Sequence, residues 1–275
     1  MNETSFDILV LGGGPGGISA ALTAHARGRS VLVISNPGGT TALSKAHRID
    51  NYPGLTGLSG AEMLAKMAEG LAALSIPTVT GRVTGVMPMG KSVMVSVGQD
   101  VYTGKALILA TGSAQPKAWP GEAELLGRGV SYCATCDGMF YRGKNVAVIG
   151  TSADAEEEAD FLRKIGCLVE FFDKSRAKKY EVRGDARVEA LVADGEEFPV
   201  EGVFILRDTV ASATLLPGLA MDGGHIAVDR EMRTSQAGVF ACGDCTGRPY
   251  QIAKAVGEGN IAALSADAYI KENES

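Results

Sequence analysis

Short, mainly apolar runs, closed by glycine or polar turns, recur along this chain. They are Phe6–Leu11, Ser30–Ile34, Ala106–Gly112, Asn145–Gly150, Leu168–Phe172 and Val200–Leu206. Runs of this kind predict parallel strands covered on both faces. Between the first two, Ile18 to Arg27 carries alanines that let a helix lie close to a sheet, and Gly28 can end it. Ser59 to Leu74 has an amphipathic helical period with Glu62 in its first turn. Residues 78–103 alternate instead, with Val93, Val95 and Val97 on one face, which predicts a small antiparallel sheet. Tyr250 to Tyr269 reads as a final helix.

Strand, glycine turn and helix follow one another twice, at Gly12 and at Gly150. The pattern predicts an α/β chain with two Rossmann-like dinucleotide-binding units of the three-layer ββα type. At the first turn, Gly12-Gly13-Gly14-Pro15-Gly16-Gly17 fits G-x-G-x-x-G in its proper context. Gly12 permits the tight turn, Gly14 lets a pyrophosphate reach the backbone, and Gly17 lets the helix approach the strand. The acidic residue expected at the end of the second strand is absent; Ser35-Asn36 stand there, which weakens a nicotinamide reading. At the second turn, Ser152 replaces the second glycine. Thr151 or Ser152 can cap the following helix, and Asp154 with Glu156-Glu157-Glu158 loads its start with negative charge. Carboxylates there would occupy or repel the place a phosphate needs.

Composition narrows the class. The 275 residues are 45% hydrophobic and 21% charged, which predicts a globular protein of two domains. With 36 glycines and few aromatic residues, the chain suits a turn-rich nucleotide fold. A formal charge of −6 argues against nucleic acid as the main partner. The absence of a leader pattern and of a spanning apolar stretch predicts a cytoplasmic protein with no membrane contact.

The chemistry concentrates at Cys133-Ala134-Thr135-Cys136-Asp137. Two cysteines at this spacing can alternate between disulfide and dithiol and so carry two electrons, and the adjacent Asp137 can move the proton that exchange requires. On the motif alone, half of a zinc site or two ordinary cysteines are equally open readings. Cys242 and Cys245 form a second pair, read as small packing residues, and Cys167 reads as a core residue. His25, His47 and His225 are isolated. A basic run at Lys174, Arg176, Lys178, Lys179, Arg183 and Arg187 is either a solvated face or a docking surface for an acidic partner.

Cys133-Ala134-Thr135-Cys136-Asp137 between two nucleotide-fold units, followed by Gly243-Asp244, resembles the low-molecular-weight thioredoxin reductase family over nearly the whole chain. The resemblance implies an FAD-dependent disulfide reductase. It would have a discontinuous FAD domain at 1–115 and 221–275, with a shortened redox domain at 116–220 inserted into it. It implies flavin contacts at Gly12, Gly14, Pro15, Gly17, Ser35, Gly38, Gly39, Thr40, Asn51, Val83, Thr111, Gly112, Gly243, Asp244, Gln251, Ile252 and Ala253, with Asp244 on the ribityl chain. It also implies that Cys136 faces the flavin, Cys133 attacks thioredoxin, Asp137 manages the proton, and the protein is a homodimer.

Where the family has His-Arg-Arg for the 2′-phosphate of NADPH, this chain has Asp173-Lys174-Ser175, and Arg207-Asp208-Thr209 replaces a glycine-containing turn. Losing two charge-assisted bonds costs roughly 3–6 kcal/mol. These departures make the chain similar to the ferredoxin-dependent flavin thioredoxin reductases, whose nicotinamide motifs are degenerate, and point to ferredoxin as donor. An NADPH enzyme with an atypical site and a flavin dithiol oxidase are the alternatives. A ferredoxin near roughly −400 mV and a thioredoxin near about −270 mV leave roughly 6 kcal/mol downhill for two electrons.

Overall fold

Strand β1 (Ser5–Leu11) lies between β2 (Val31–Ser35) and β6 (Asp100–Leu109), parallel to both. This arrangement is seen in a computed structural model that describes residues 4–36, 43–112, 118–132, 134–152, 155–207 and 215–274, with only the backbone of Lys45 and Cys136. Ile8, Leu9, Val10, Leu107 and Ile108 are fully buried, which is why these strands read as continuous apolar runs. β3 (Thr78–Thr80) extends the sheet in parallel beyond β2. β6 changes partner along its length: its first half pairs antiparallel with β5 (Ser92–Val97), and its last residues pair parallel with β16 (Val239–Ala241). β4 (Val83–Met89) closes the meander on β5.

Val93, Val95 and Val97 are buried on one face of that meander, as their alternation predicts. Thr78–Thr80 is not part of it, however, and belongs to the parallel sheet. Three exposed or half-exposed residues give too little pattern to reveal a partner on β2. The helices keep close to expectation. α1 spans Pro15–Ala26 and α2 spans Gly60–Ala73, the latter opened by a capping box between Ser59 and Glu62.

The last helix, α5 (Ile252–Glu274), packs along α1. A Cβ at Gly259 would lie 2.1 Å from the Gly16 carbonyl oxygen, so these two backbones meet only because the position is glycine. The Ser19 hydroxyl donates to the Val256 carbonyl across the contact at 2.7 Å. Asp267 of α5, its side chain 3% exposed, receives hydrogen bonds from Arg27, Arg29 and Lys271.

The chain divides into two units, Met1–Gln115 with Ala211–Ser275 and Pro116–Val210, so residues 211–220 go with the first unit. In the second unit, β7 (Val130–Ser131), β13 (Gly202–Leu206), β8 (Asn145–Gly150) and β9 (Leu168–Phe172) form a parallel sheet in that order. α3 (Ala134–Asp137) and α4 (Ala155–Lys164) pack together. Their buried residues share a core with Val146, Val148, Phe204 and Leu206. The stretch between β9 and β13 is an antiparallel meander of β10 (Tyr180–Arg183), β11 (Ala190–Ala193) and β12 (Glu196–Pro199). The basic run leads from the end of β9 into this meander and is partly neutralised. Arg176 pairs with Glu170 and stacks on Phe172, and Arg183 pairs with Glu181 and Glu197.

Burial works to raise the Asp267 carboxyl, but the hydrogen bonds from Lys271, Arg29 and Arg27 outweigh it and hold it at about 2. The stability it contributes is therefore complete above the ordinary carboxylate range and is lost as pH falls toward about 2. Asp267→Asn is expected to lower stability by about 1–3 kcal/mol near neutral pH. In urea unfolding curves, the gap between the two proteins should close as the pH approaches that of the folded carboxyl.

Candidate functional site

In the first unit the C-terminal ends of β1, β2, β6 and β16 lie at one edge of the sheet, because the four strands run parallel. That edge is where a doubly wound sheet receives its ligand. The turn after β1 shows why its glycines stand where they do. Gly12 has φ +125°, and a Cβ at Gly17 would lie 1.8 Å from the Gly12 carbonyl oxygen. Gly14 differs: its backbone is extended, and an added Cβ would meet nothing within 4 Å. Gly14 is the N-cap of α1, no side chain bonds to the cap, Pro15 follows it, and the first turn carries no acid. An uncapped helix start with open space beside Gly14 fits the pyrophosphate of FAD.

Ser35 ends β2, and the Gly81 amide donates to its carbonyl at 2.9 Å, which brings the approach to Val83 alongside it. Val83 itself is buried. Thr111 and Gly112 follow β6. Gly38, Gly39 and Thr40 lie outside the described residues. Asn51 and Gln251, far apart in sequence, are together: the Asn51 amide donates to Gln251 Oε1 at 2.9 Å. Ile252 and Ala253 open α5, so the strand edge and this helix start enclose the same end of the unit.

The turn Gly243–Thr246 after β16 carries Asp244. Lys254 Nζ donates to the carbonyls of Gly243 and Gly247, both at 2.9 Å, and pairs with Glu258 at 3.0 Å. Glu258 in turn accepts from the Gly243 amide and the Thr246 hydroxyl. Lys254 and Glu258 therefore shape the turn that presents Asp244, a role the sequence did not disclose. Their spacing of four in a helix is legible, but the turn they grip is not. Burial raises the Asp244 carboxyl, and Lys254 opposes that shift. Cys242 and Cys245 are buried within this turn. Burial pushes Cys242 well above the ordinary thiol range and Cys245 to about 11, which suits packing residues and not a thiolate pair.

In the second unit Cys133 lies outside the described residues, but the chain on either side of it is anchored three times. The Ser131 hydroxyl donates to Asp137 Oδ2 at 2.7 Å. The Tyr132 hydroxyl donates to buried Glu122 at 2.7 Å, and Glu122 also pairs with Arg207. The Ala134 amide donates to Glu158 of α4 at 3.1 Å. Burial, and then Glu122, push the Tyr132 hydroxyl far above its ordinary range, so it stays protonated and remains a donor. Arg207 also sits over Trp119, at 4.6 Å from the ring centroid. Arg207 was visible in the sequence only as a departure from a glycine turn. Its ion-pair partner Glu122, 85 positions away, was not.

The turn after β8 is unlike the turn after β1. The amides of Thr151 and Ser152 both donate to the Leu206 carbonyl, at 2.8 and 3.1 Å. The helix begins at Ala155, whose amide donates to the Ser152 carbonyl at 3.4 Å, and Asp154 lies outside the described residues. Asp173, at the end of β9, accepts from the amides of Ser175 and Arg176 and from the Ser175 hydroxyl. Those hydrogen bonds, the Ser175 hydroxyl first, hold its carboxyl below its ordinary range. Among the described residues there is no cluster able to hold a metal ion, and no helix is long and apolar enough to cross a membrane.

The family model for pyridine nucleotide-disulphide oxidoreductases matches residues 6–177 and 169–259. The chain is 35% identical to a thioredoxin reductase of Treponema pallidum, covering 98% of each sequence. It is 32% identical to a thioredoxin reductase of Listeria monocytogenes, over 98% of this chain and 95% of that one. A crystal structure of a ferredoxin-flavin thioredoxin reductase from Clostridium acetobutylicum superposes with a TM-score of 0.86 at 38% identity. That superposition covers 100% of this chain and 99% of the other.

The two glycine environments separate ligand binding from folding. Gly14→Val should fold and melt like the FAD-free parent, because its Cβ enters open space, yet purify without FAD. Gly17→Ala should fail at the folding step, because its Cβ would enter the Gly12 carbonyl. Flavin absorbance per chain and thermal unfolding measure both; stoichiometric flavin in folded Gly14→Val would show that this turn does not seat the pyrophosphate.

Proposed function

The chain belongs to the pyridine nucleotide-disulphide oxidoreductase family, among relatives of thioredoxin reductase, and on that premise we propose that it reduces thioredoxin disulfides with electrons delivered to FAD by a ferredoxin and not by NADPH. When bound, FAD supplies a store for two electrons between donor and disulfide. Gly12, Gly14, Pro15 and Gly17 hold its pyrophosphate, and Ser35 and Val83 border the same end. Thr111, Gly112, Gly243 and Asp244 line the strand edge, with Asp244 on the ribityl chain. Asn51 and Gln251 brace one another, and Ile252 and Ala253 offer the start of α5. Gly38, Gly39 and Thr40 complete the contacts by resemblance.

Cys133 attacks the thioredoxin disulfide, and Cys136 then resolves the mixed disulfide and closes the internal one. The two electrons leave with two protons. Asp137 handles the proton at this step.

One observation carries the donor reading: the amides of Thr151 and Ser152 are held by the Leu206 carbonyl. A dinucleotide needs such amides for its pyrophosphate, and Ser152 puts a side chain where a glycine would admit it. Three supports accompany it. Glu156 stands in the first turn of α4, where its charge disfavours an anion. Asp173 closes a turn on itself where a basic cluster would meet a 2′-phosphate. The Clostridium acetobutylicum relative, named for ferredoxin, covers the whole chain. The docking face for an acidic ferredoxin is then limited to Lys174, Lys178, Lys179 and Arg187, since Arg176 and Arg183 are engaged in ion pairs.

Anaerobic mixing of the flavin-loaded protein with reduced ferredoxin, NADPH and NADH tests this directly. Reduced ferredoxin should bleach the flavin, with rates that fall as salt is added and fall again on charge reversal at Lys178 and Lys179. NADPH should bind about 10²- to 10⁴-fold more weakly than to an enzyme with an intact phosphate site. Rapid, stoichiometric bleaching by micromolar NADPH would restore the NADPH-dependent reading. Turnover with oxygen and dithiols alone would favour the oxidase.

A further inference from the structure

The turn that carries Asp244 is joined to the start of α5 by Gly247 to Gln251, and most of that connection lies in solvent. Arg248, Pro249, Tyr250 and Gln251 are all exposed. Its two ends are held locally. The Gly247 amide donates to the Asp244 carbonyl at 3.2 Å, and its carbonyl accepts from Lys254 Nζ at 2.9 Å. The Gln251 amide donates to the Pro249 carbonyl at 3.0 Å, and its side chain accepts from Asn51. The middle is held from elsewhere in the chain. β14 (Met221–Asp222) and β15 (His225–Ile226) form a two-stranded hairpin, anchored by Ile226, which is 1% exposed.

Beside that anchor, His225 Nε2 lies 2.7 Å from the Tyr250 hydroxyl oxygen. The bond exists in either neutral tautomer: the hydroxyl donates to a bare Nε2 and accepts from a protonated one. The Arg248 guanidinium covers the Tyr250 ring at 5.5 Å from its centroid. An added Cβ at Gly247 would lie in ordinary contact with the imidazole, at 3.7 Å, so the ring also stands beside the backbone of the connection. Tyr250 is 41% exposed, and water could serve its hydroxyl as well. What the imidazole adds is a fixed place for the tyrosine ring and for the backbone that carries it.

We propose that His225 is a positioning residue for the flavin: through Tyr250 it keeps the connection on the one path that sets Asp244 and the first residues of α5 together. The proposal rests on the reading of Asp244, Gln251, Ile252 and Ala253 as flavin contacts. A site whose walls are already in place loses less freedom when its ligand enters. Without the bond the connection takes other paths, and FAD must restore the right one on binding. The loss therefore falls on cofactor affinity. It does not fall on the stability of the fold, because neither side chain belongs to the buried core beneath α1 and α5.

The test uses the flavin-stripped full chain, dialysed to equilibrium against FAD and then unfolded in urea without it. Tyr250→Phe and His225→Phe should each weaken FAD binding about 3- to 10-fold, while the urea midpoint of the flavin-free chain stays where it was. The double variant should lose no more affinity than either single one, since both remove the same bond. His225→Gln keeps a polar nitrogen at similar reach and should bind FAD within about 2-fold of the parent. Parental affinity in Tyr250→Phe, or losses that add in the double variant, would overturn the proposal. So would a lowered urea midpoint with affinity unchanged, which would make the contact merely structural. Gln251→Ala separates this proposal from the reading beneath it. If it weakens FAD binding while Tyr250→Phe does not, the role of His225 falls and the flavin contacts stand. If neither weakens it, the start of α5 has been misassigned and both fall.

Discussion

A backbone amide withdrawn from water must find an acceptor, and the two parallel sheets meet that demand in opposite ways. After β1, the helix start at Gly14 has no side-chain cap and no acid in its first turn, so its donors await a ligand from outside the chain. After β8, the amides of Thr151 and Ser152 find theirs on Leu206 of the neighbouring strand. Two units of one architecture are thus differentiated by where a few hydrogen bonds go. The strands beneath them, buried on both faces, differ little in kind.

Around the dithiol the same demand is met by carboxylates. Glu122 holds the tyrosine before Cys133, Glu158 takes the amide after it, and Asp137 is held by Ser131. The Glu122–Arg207 pair is nearly buried, with side chains 4% and 10% exposed. A buried pair contributes little net stability, while losing one partner is costly, so its value lies in fixing one arrangement of the chain. Arg207 Nε has no hydrogen-bond partner, yet the guanidinium lies over Trp119, which lets an aromatic face substitute in part for an acceptor. Arg207, at the end of β13, joins the ends of that strand and of β7.

Local rules made much of this legible. The glycine turn at Gly12, the capping box at Ser59 and Glu62, and the buried strands are each written within a few neighbouring residues. What the sequence hid depends on separation along the chain. Thr78–Thr80 lacked enough residues to show a period, and its partner on β2 decided its direction. The basic run read as a continuous charged face although Glu181 and Glu170 stand close in sequence to the arginines they pair with, and Glu197 reaches Arg183 only once the meander has formed. Ser131 and Asp137 were within a few residues of each other, but no pattern rule joins the end of a strand to the end of a one-turn helix.

The contact between α1 and α5 has a consequence for how the protein is made. Gly16 near the start of the chain is shielded by Gly259 near its end, and β16 completes the sheet edge beside β6. A ribosome therefore emits β1, α1 and β2 long before the segments that cover them. The unit from Pro116 to Val210 is continuous and can close while its host is still missing a strand and a helix. The cradle for the cofactor is the last part of the molecule to assemble, and until then the apolar faces of α1 depend on whatever receives the nascent chain.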